Sequence, residues 1–91
     1  MNNAKDCVQI PCDISGRYAH RLTYLMQSSK STVFILSGGR LVNAKSLLGV
    51  LSLCLKQKSI VDVFCYNDDT EQAERDLKYA VDVIANINKE E

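Results

Sequence analysis

From Ile60 to Tyr66 the chain alternates, with Val61, Val63 and Cys65 on one side and Asp62, Phe64 and Tyr66 on the other. A period of two is the pattern of a β-strand with unlike faces. Such a strand needs hydrogen-bonding neighbours and a layer over its apolar side, and the rest of the chain must supply both. Thr32 to Leu36 is rich in β-branched and aromatic residues and reads as another strand. Ser37-Gly38-Gly39-Arg40 then makes a tight turn, because its glycines tolerate positive φ, and Leu41 and Val42 begin the return strand. A further strand is expected over Lys5 to Ile10, ended by Pro11, which has no N–H to donate.

Three amphipathic segments can form the covering layer. From Gly16, Ala19, Leu22, Leu25 and Met26 recur at spacings of three and four, and the polar run Gln27 to Ser31 ends the pattern. Ser46 can cap a second helix in which Leu47, Leu48, Val50, Leu51 and Leu55 exceed what one buried stripe requires. Asp69 or Thr70 can cap a third, whose stripe is Ala73, Leu77, Ala80, Val81, Ile84 and Ile87, with charges elsewhere. The expected order is β-α-β-β-α-β-α, an α+β fold with a four-stranded, mostly antiparallel sheet and three helices on one face. Ninety-one residues, 46% of them hydrophobic, suit a single domain spanning 1–91.

Eleven basic residues balance eleven acidic ones, which leaves no overall field to hold nucleic acid or an anionic membrane. Charges come early at the N-terminus and no apolar run is long enough for a leader or a membrane span, so a cytoplasmic protein is expected. Cys7, Cys12, Cys54 and Cys65 lack the short paired spacing of a zinc site, and reduced, partly buried thiols are the expectation. No metal or dinucleotide motif is present, and no cofactor is expected.

The run Val42-Asn43-Ala44-Lys45-Ser46-Leu47-Leu48-Gly49-Val50-Leu51-Ser52-Leu53 closely resembles the regulatory-serine segment of HPr, the phosphocarrier family of the bacterial sugar phosphotransferase system. The element order agrees with that family from end to end, which implies its open-faced β-sandwich. Counting back without a gap places Asp13-Ile14-Ser15-Gly16-Arg17-Tyr18-Ala19 over the family's phosphorylation motif, usually Gly-Ile/Leu-His-Ala-Arg-Pro-Ala. Ile14, Arg17 and Ala19 match. Ser15 stands at the histidine position, Tyr18 replaces the proline, and Asp13 and Gly16 replace glycine and alanine. A gapped alternative would set Tyr18 at the histidine position but sacrifice the arginine match. The only histidine, His20, falls at the acceptor position in neither alignment. This pattern is similar to that of histidine-lacking, Crh-type paralogues.

The carrier reaction of the family needs an imidazole nitrogen that accepts phosphate and releases it readily. Serine would form a phosphate ester instead, and the sequence shows no neighbouring histidine or lysine to activate the Ser15 hydroxyl. Ser15 is expected to act as a helix cap through its side-chain oxygen, and Arg17 is the candidate for an anion-facing position. The resemblance implies phosphorylation of Ser46 by an ATP-dependent HPr kinase. A phosphate there would meet a helix N-terminus, a charge interaction worth roughly 0.3 to 1 kcal/mol when exposed. It further implies that Leu47, Leu48 and Leu51 form a partner-binding surface for phosphotransferase enzymes, the kinase or a transcriptional regulator.

Strand alternation adds one more surface. With Val33 and Ile35 facing the helices, Phe34 and Leu36 point outward, as do Phe64 and Tyr66, and in the family topology their strands are neighbours. These four side chains would make an outer patch suited to a partner or to self-association. Cys12-x-x-Ser15 before a helix is a weak redox signal, outweighed by a local structural role. The expectation is a regulatory adaptor, not an enzyme. The alternatives are a phosphoryl-transfer component with an unusual acceptor, Ser15 or Tyr18, and a structural or self-associating protein.

Overall fold

The structure, a computed structural model, describes residues 2–89. Strand β1 covers Asn2–Gln9, helix α1 Gly16–Met26, β2 Thr32–Ser37, β3 Arg40–Asn43, α2 Leu47–Ser52, β4 Ile60–Asn67 and α3 Thr70–Ala85. The four strands form one sheet in the order β1-β4-β2-β3, and every adjacent pair is antiparallel. The expected element order and antiparallel sheet are both present. β1 starts at Asn2, earlier than its apolar residues indicate, because polar Asn3, Lys5 and Cys7 need only pair their backbones with Tyr66, Phe64 and Asp62 of β4.

The alternation of β4 sorts its side chains as its sequence demands. Val61, Val63 and Cys65 are buried beneath the helices together with Val33 and Ile35 of β2. Ala19, Leu22 and Met26 of α1, Val50 of α2, and Ala80 and Ile84 of α3 close over them. Gly38 and Gly39 take φ of 57° and 80° at the β2–β3 turn, where a side chain would be strained.

Two helices depart from the expected outline. α2 ends at Ser52 because Cys54 turns the backbone left-handed at φ 49°, so Leu55 reaches the core from the following loop and not from the helix. Along α3 the expectation that charges stay off the buried stripe fails at Asp76, which is 7% exposed. Its Oδ2 accepts from the Lys30 and Ser31 backbone N–H groups at 3.1 and 2.9 Å and from the Ser31 hydroxyl at 2.6 Å. Gln72 Nε2 donates to Oδ1 at 3.0 Å, and Asn67 donates to the Ser31 hydroxyl at 3.1 Å. One carboxylate therefore ties α3 to the passage from α1 into β2 and to the end of β4, which makes its burial tolerable.

Candidate functional site

The segments that meet at the start of α1 are held there by one backbone bond and one bond to a side chain. Ile14 donates to the Leu55 carbonyl at 2.9 Å, and Gln57 N–H donates to the Asp13 carboxylate at 2.8 Å. Between them lies a shallow open groove of about 220 Å³, lined by Asp13, Ile14, Ser15, Gly16, Leu51, Cys54, Leu55 and Lys56. Ser15 is exposed at the N-cap of α1, but its side chain makes no cap hydrogen bond; only its carbonyl accepts, from Ala19 at 2.8 Å. The expectation that its hydroxyl caps the helix is thus corrected. At ψ −168° the extended backbone leaves the hydroxyl uncommitted to the helix.

Lys56 also lines this groove, although nothing near Ser15 in sequence indicates a lysine there. The loop after α2 brings it in, a long-range placement invisible to local spacing. Lys56 and Asp13 give the lining one basic and one acidic side chain. Arg17, the anion-facing candidate, is not among the lining residues, and its guanidinium carbon lies 5.4 Å from the centre of the Tyr18 ring. Tyr18 is half-buried and packs against the core. His20 is exposed on α1 and outside the groove lining.

Burial, reinforced by the neighbouring Asp13 charge, pushes the Cys12 thiol above its ordinary value. That is the reverse of what an activated redox thiol requires. Cys65, buried beside Asp76, is pushed up to about 11 by burial and then by that carboxylate, with Lys45 acting in opposition. All four cysteines are free thiols.

Ser46 caps α2 through its side chain, which accepts from Gly49 N–H at 3.1 Å. The segment before it is anchored to the end of α1. Lys45 Nζ donates to the Ser29 carbonyl at 2.8 Å, and Gln27 donates to the Lys45 carbonyl at 2.9 Å. Leu48 stands 80% exposed and Leu47 37% exposed, whereas Leu51 packs against the core and lines the groove. The leucine trio is therefore split: two side chains face solvent and one supports the groove floor.

The two serines predict unequal stability effects. Ser46→Ala is expected to cost about 1 kcal/mol, since it removes a formed cap bond. Ser15→Ala is expected to cost less than about 0.5 kcal/mol, since no cap bond exists to lose. Urea unfolding of both variants checks the contrast, and equal losses would contradict it.

On the outer side of the sheet, Phe34 lies directly opposite Phe64 across the β2–β4 pair. The rings of Phe34 and Tyr66 meet edge to face at 5.8 Å, and those of Phe64 and Tyr66 stack at 6.5 Å. Leu36 sits beside them, opposite Leu41 of β3. The four residues expected to share a face do share one, and Leu41, 55% exposed, extends it.

A family profile described as the PTS HPr component phosphorylation site matches residues 5–83. No curated protein matches the chain. Among solved structures, HPr-C-His from Thermoanaerobacter tengcongensis is 26% identical with a TM-score of 0.73, covering 100% of this chain and 99% of that one. The phosphocarrier protein HPr from Bacillus anthracis str. Ames is 25% identical with a TM-score of 0.75, over 89% of this chain and 99% of that one. Crh, the catabolite repression protein of Bacillus subtilis, is 27% identical with a TM-score of 0.62, over 82% and 86% of the respective chains.

Proposed function

Because the chain belongs to the HPr family of the phosphotransferase system, we propose that it works as a regulatory adaptor in which Ser15 replaces the phosphate-accepting histidine and Ser46 is the site of regulation. The observation that carries this reading is the placement of the residues. A serine lies in the groove at the start of α1, while the sole histidine, His20, lies outside it. A phosphoserine is an ester and a poor donor for onward transfer, whereas a carrier needs the labile bond to imidazole nitrogen. The groove thus retains a place for an anion, with Lys56 beside it, without the group that makes transfer reversible.

Ser46 supports the regulatory half. It is exposed, and Leu47 and Leu48 beside it offer an apolar contact surface. A phosphate on its Oγ would give up the bond from Gly49 while adding acceptor oxygens at the same helix start. With only six residues in α2, the dipole contribution falls at the low end of its range, so the modification acts chiefly as a charge displayed to a partner. The partners this reading implies are an HPr kinase and a transcriptional regulator or phosphotransferase enzyme, in the cytoplasm. Similarity to a catabolite repression protein favours regulation over carriage.

Incubation with ATP and HPr kinase is expected to add one phosphate to the wild-type chain and none to Ser46→Ala, as read by intact mass. Modification of Ser46→Ala to the wild-type extent would contradict the assignment. The second reading, transfer through Ser15 or Tyr18, is favoured only by Lys56 in the groove. Tyr18 is the weaker acceptor, being half-buried against the core.

A further inference from the structure

We infer that the outer face of the sheet is an interface between two copies of this chain. That face goes beyond the regulatory reading and does not depend on whether Ser46 is modified. It carries Phe34, Leu36, Leu41, Ile60, Phe64 and Tyr66, on strands whose opposite sides are already covered by helices. Ile60 is 66% exposed, and the three half-buried aromatic rings rest on one another with the Lys5 ammonium 5.7 Å from the centre of the Phe64 ring. Leaving such a cluster in water forgoes roughly 25 cal/mol for each Å² of apolar surface that could be buried.

The charges on the face select a second copy as its occupant. Following the register outward from β4, the only charged strand side chains on this side among the described residues are Lys5 of β1 and Asp62 of β4. They lie on adjacent strands and in adjacent rows, since Lys5 pairs with Phe64 and Cys7 with Asp62. The face is therefore neutral and bears one cation and one anion, which is the requirement for a self-complementary two-fold contact. With strands about 4.8 Å apart and about 3.4 Å of rise per residue, a two-fold axis relating Lys5 to Asp62 of the other copy crosses the sheet beside Phe64 and Phe34. The aromatic cluster then packs on its own counterpart while both ion pairs close at one end. The two sets of strands cross steeply, in the orthogonal class of sheet packing.

The area sets the strength of the contact. Strands of eight, six, four and eight residues present roughly 420 Å² per copy, or about 850 Å² for the pair. That is below the roughly 1,000 Å² of a stable specific interface and corresponds to a weak dimer that dissociates on dilution. Balanced net charge removes long-range repulsion between copies.

Sedimentation of the full chain over a dilution series tests the proposal. The mass is expected to rise from 10.2 kDa towards twice that value with concentration. Phe64→Lys should abolish the rise, and Lys5→Asp should weaken dimerisation about tenfold or more by placing like charges opposite. The double variant Lys5→Asp/Asp62→Lys should restore it to within about threefold of wild type. That recovery shows that the charge variants fold, and a thermal unfolding transition checks the same for Phe64→Lys. A monomer at every concentration, or a dimer indifferent to Phe64→Lys, would overturn the proposal; the latter would point to exchange of an element between copies. A monomer that sediments with phosphatidylcholine vesicles would assign the face to lipid and overturn it equally.

Discussion

Replacing Asp76 with alanine is expected to destabilise the fold by about 3 kcal/mol, a fall of roughly 15 °C in Tm for a domain this small. The substitution leaves four donors without their carboxylate: two backbone N–H groups, the Ser31 hydroxyl and the Gln72 amide. These donors belong to the turn between α1 and β2 and to α3, so the loss loosens a junction and not a single contact. Asp76→Asn keeps one oxygen acceptor and should cost about 1 kcal/mol, which thermal unfolding would distinguish from the alanine variant.

The same group makes stability depend on acid. Burial alone would raise the Asp76 pKa, but hydrogen bonds from the Ser31 side chain and backbone, then from Gln72 and Lys30, hold it below the ordinary 3.8. A carboxylate with a depressed folded-state pKa stabilises the fold above its unfolded pKa, and that contribution is lost as pH falls through the folded value. The loss is therefore confined to pH below about 3.8, and Asp76→Asn should flatten it.

The second large effect concerns the groove. Wild-type protein is expected to take no phosphate from phosphoenolpyruvate and the general phosphotransferase enzyme, whereas Ser15→His should acquire an acid-labile phosphate. The substitution places an imidazole at the exposed start of α1, beside Lys56, where its nitrogen can attack and later act as a leaving group. His20→Ala in that background should leave the gain intact, because His20 lies outside the groove. A gain abolished by His20→Ala would place the acceptor elsewhere.

Much of this architecture is legible in local sequence. The two-residue alternation of β4 and the spacing of Ala19, Leu22 and Met26 report burial directly, and both appear as buried faces. Ser46 is likewise readable as a cap, since a serine before an apolar turn meets the N–H three residues on. Asp76 is not readable in this way. Its partners lie about 45 positions earlier in the chain, and on a helical wheel it is a charge in the wrong place. Lys56 and Cys54 join the groove for a similar reason: the left-handed turn at Cys54 ends α2 early and swings the next residues towards Ser15. Ser15 shows the limit of residue type as a guide, because it occupies a cap position without making the cap bond.

Regulation without carriage shows itself in the choice of phosphoryl donor. The wild-type chain would be given phosphoenolpyruvate with the general phosphotransferase enzyme, or ATP with HPr kinase, and each phosphate mapped by mass spectrometry. The expected result is no transfer from phosphoenolpyruvate and a single acid-stable phosphate from ATP, on Ser46. Phosphate taken from phosphoenolpyruvate on Ser15 or Tyr18 and passed to a sugar-specific acceptor, or no ATP-dependent phosphate on Ser46, would contradict it.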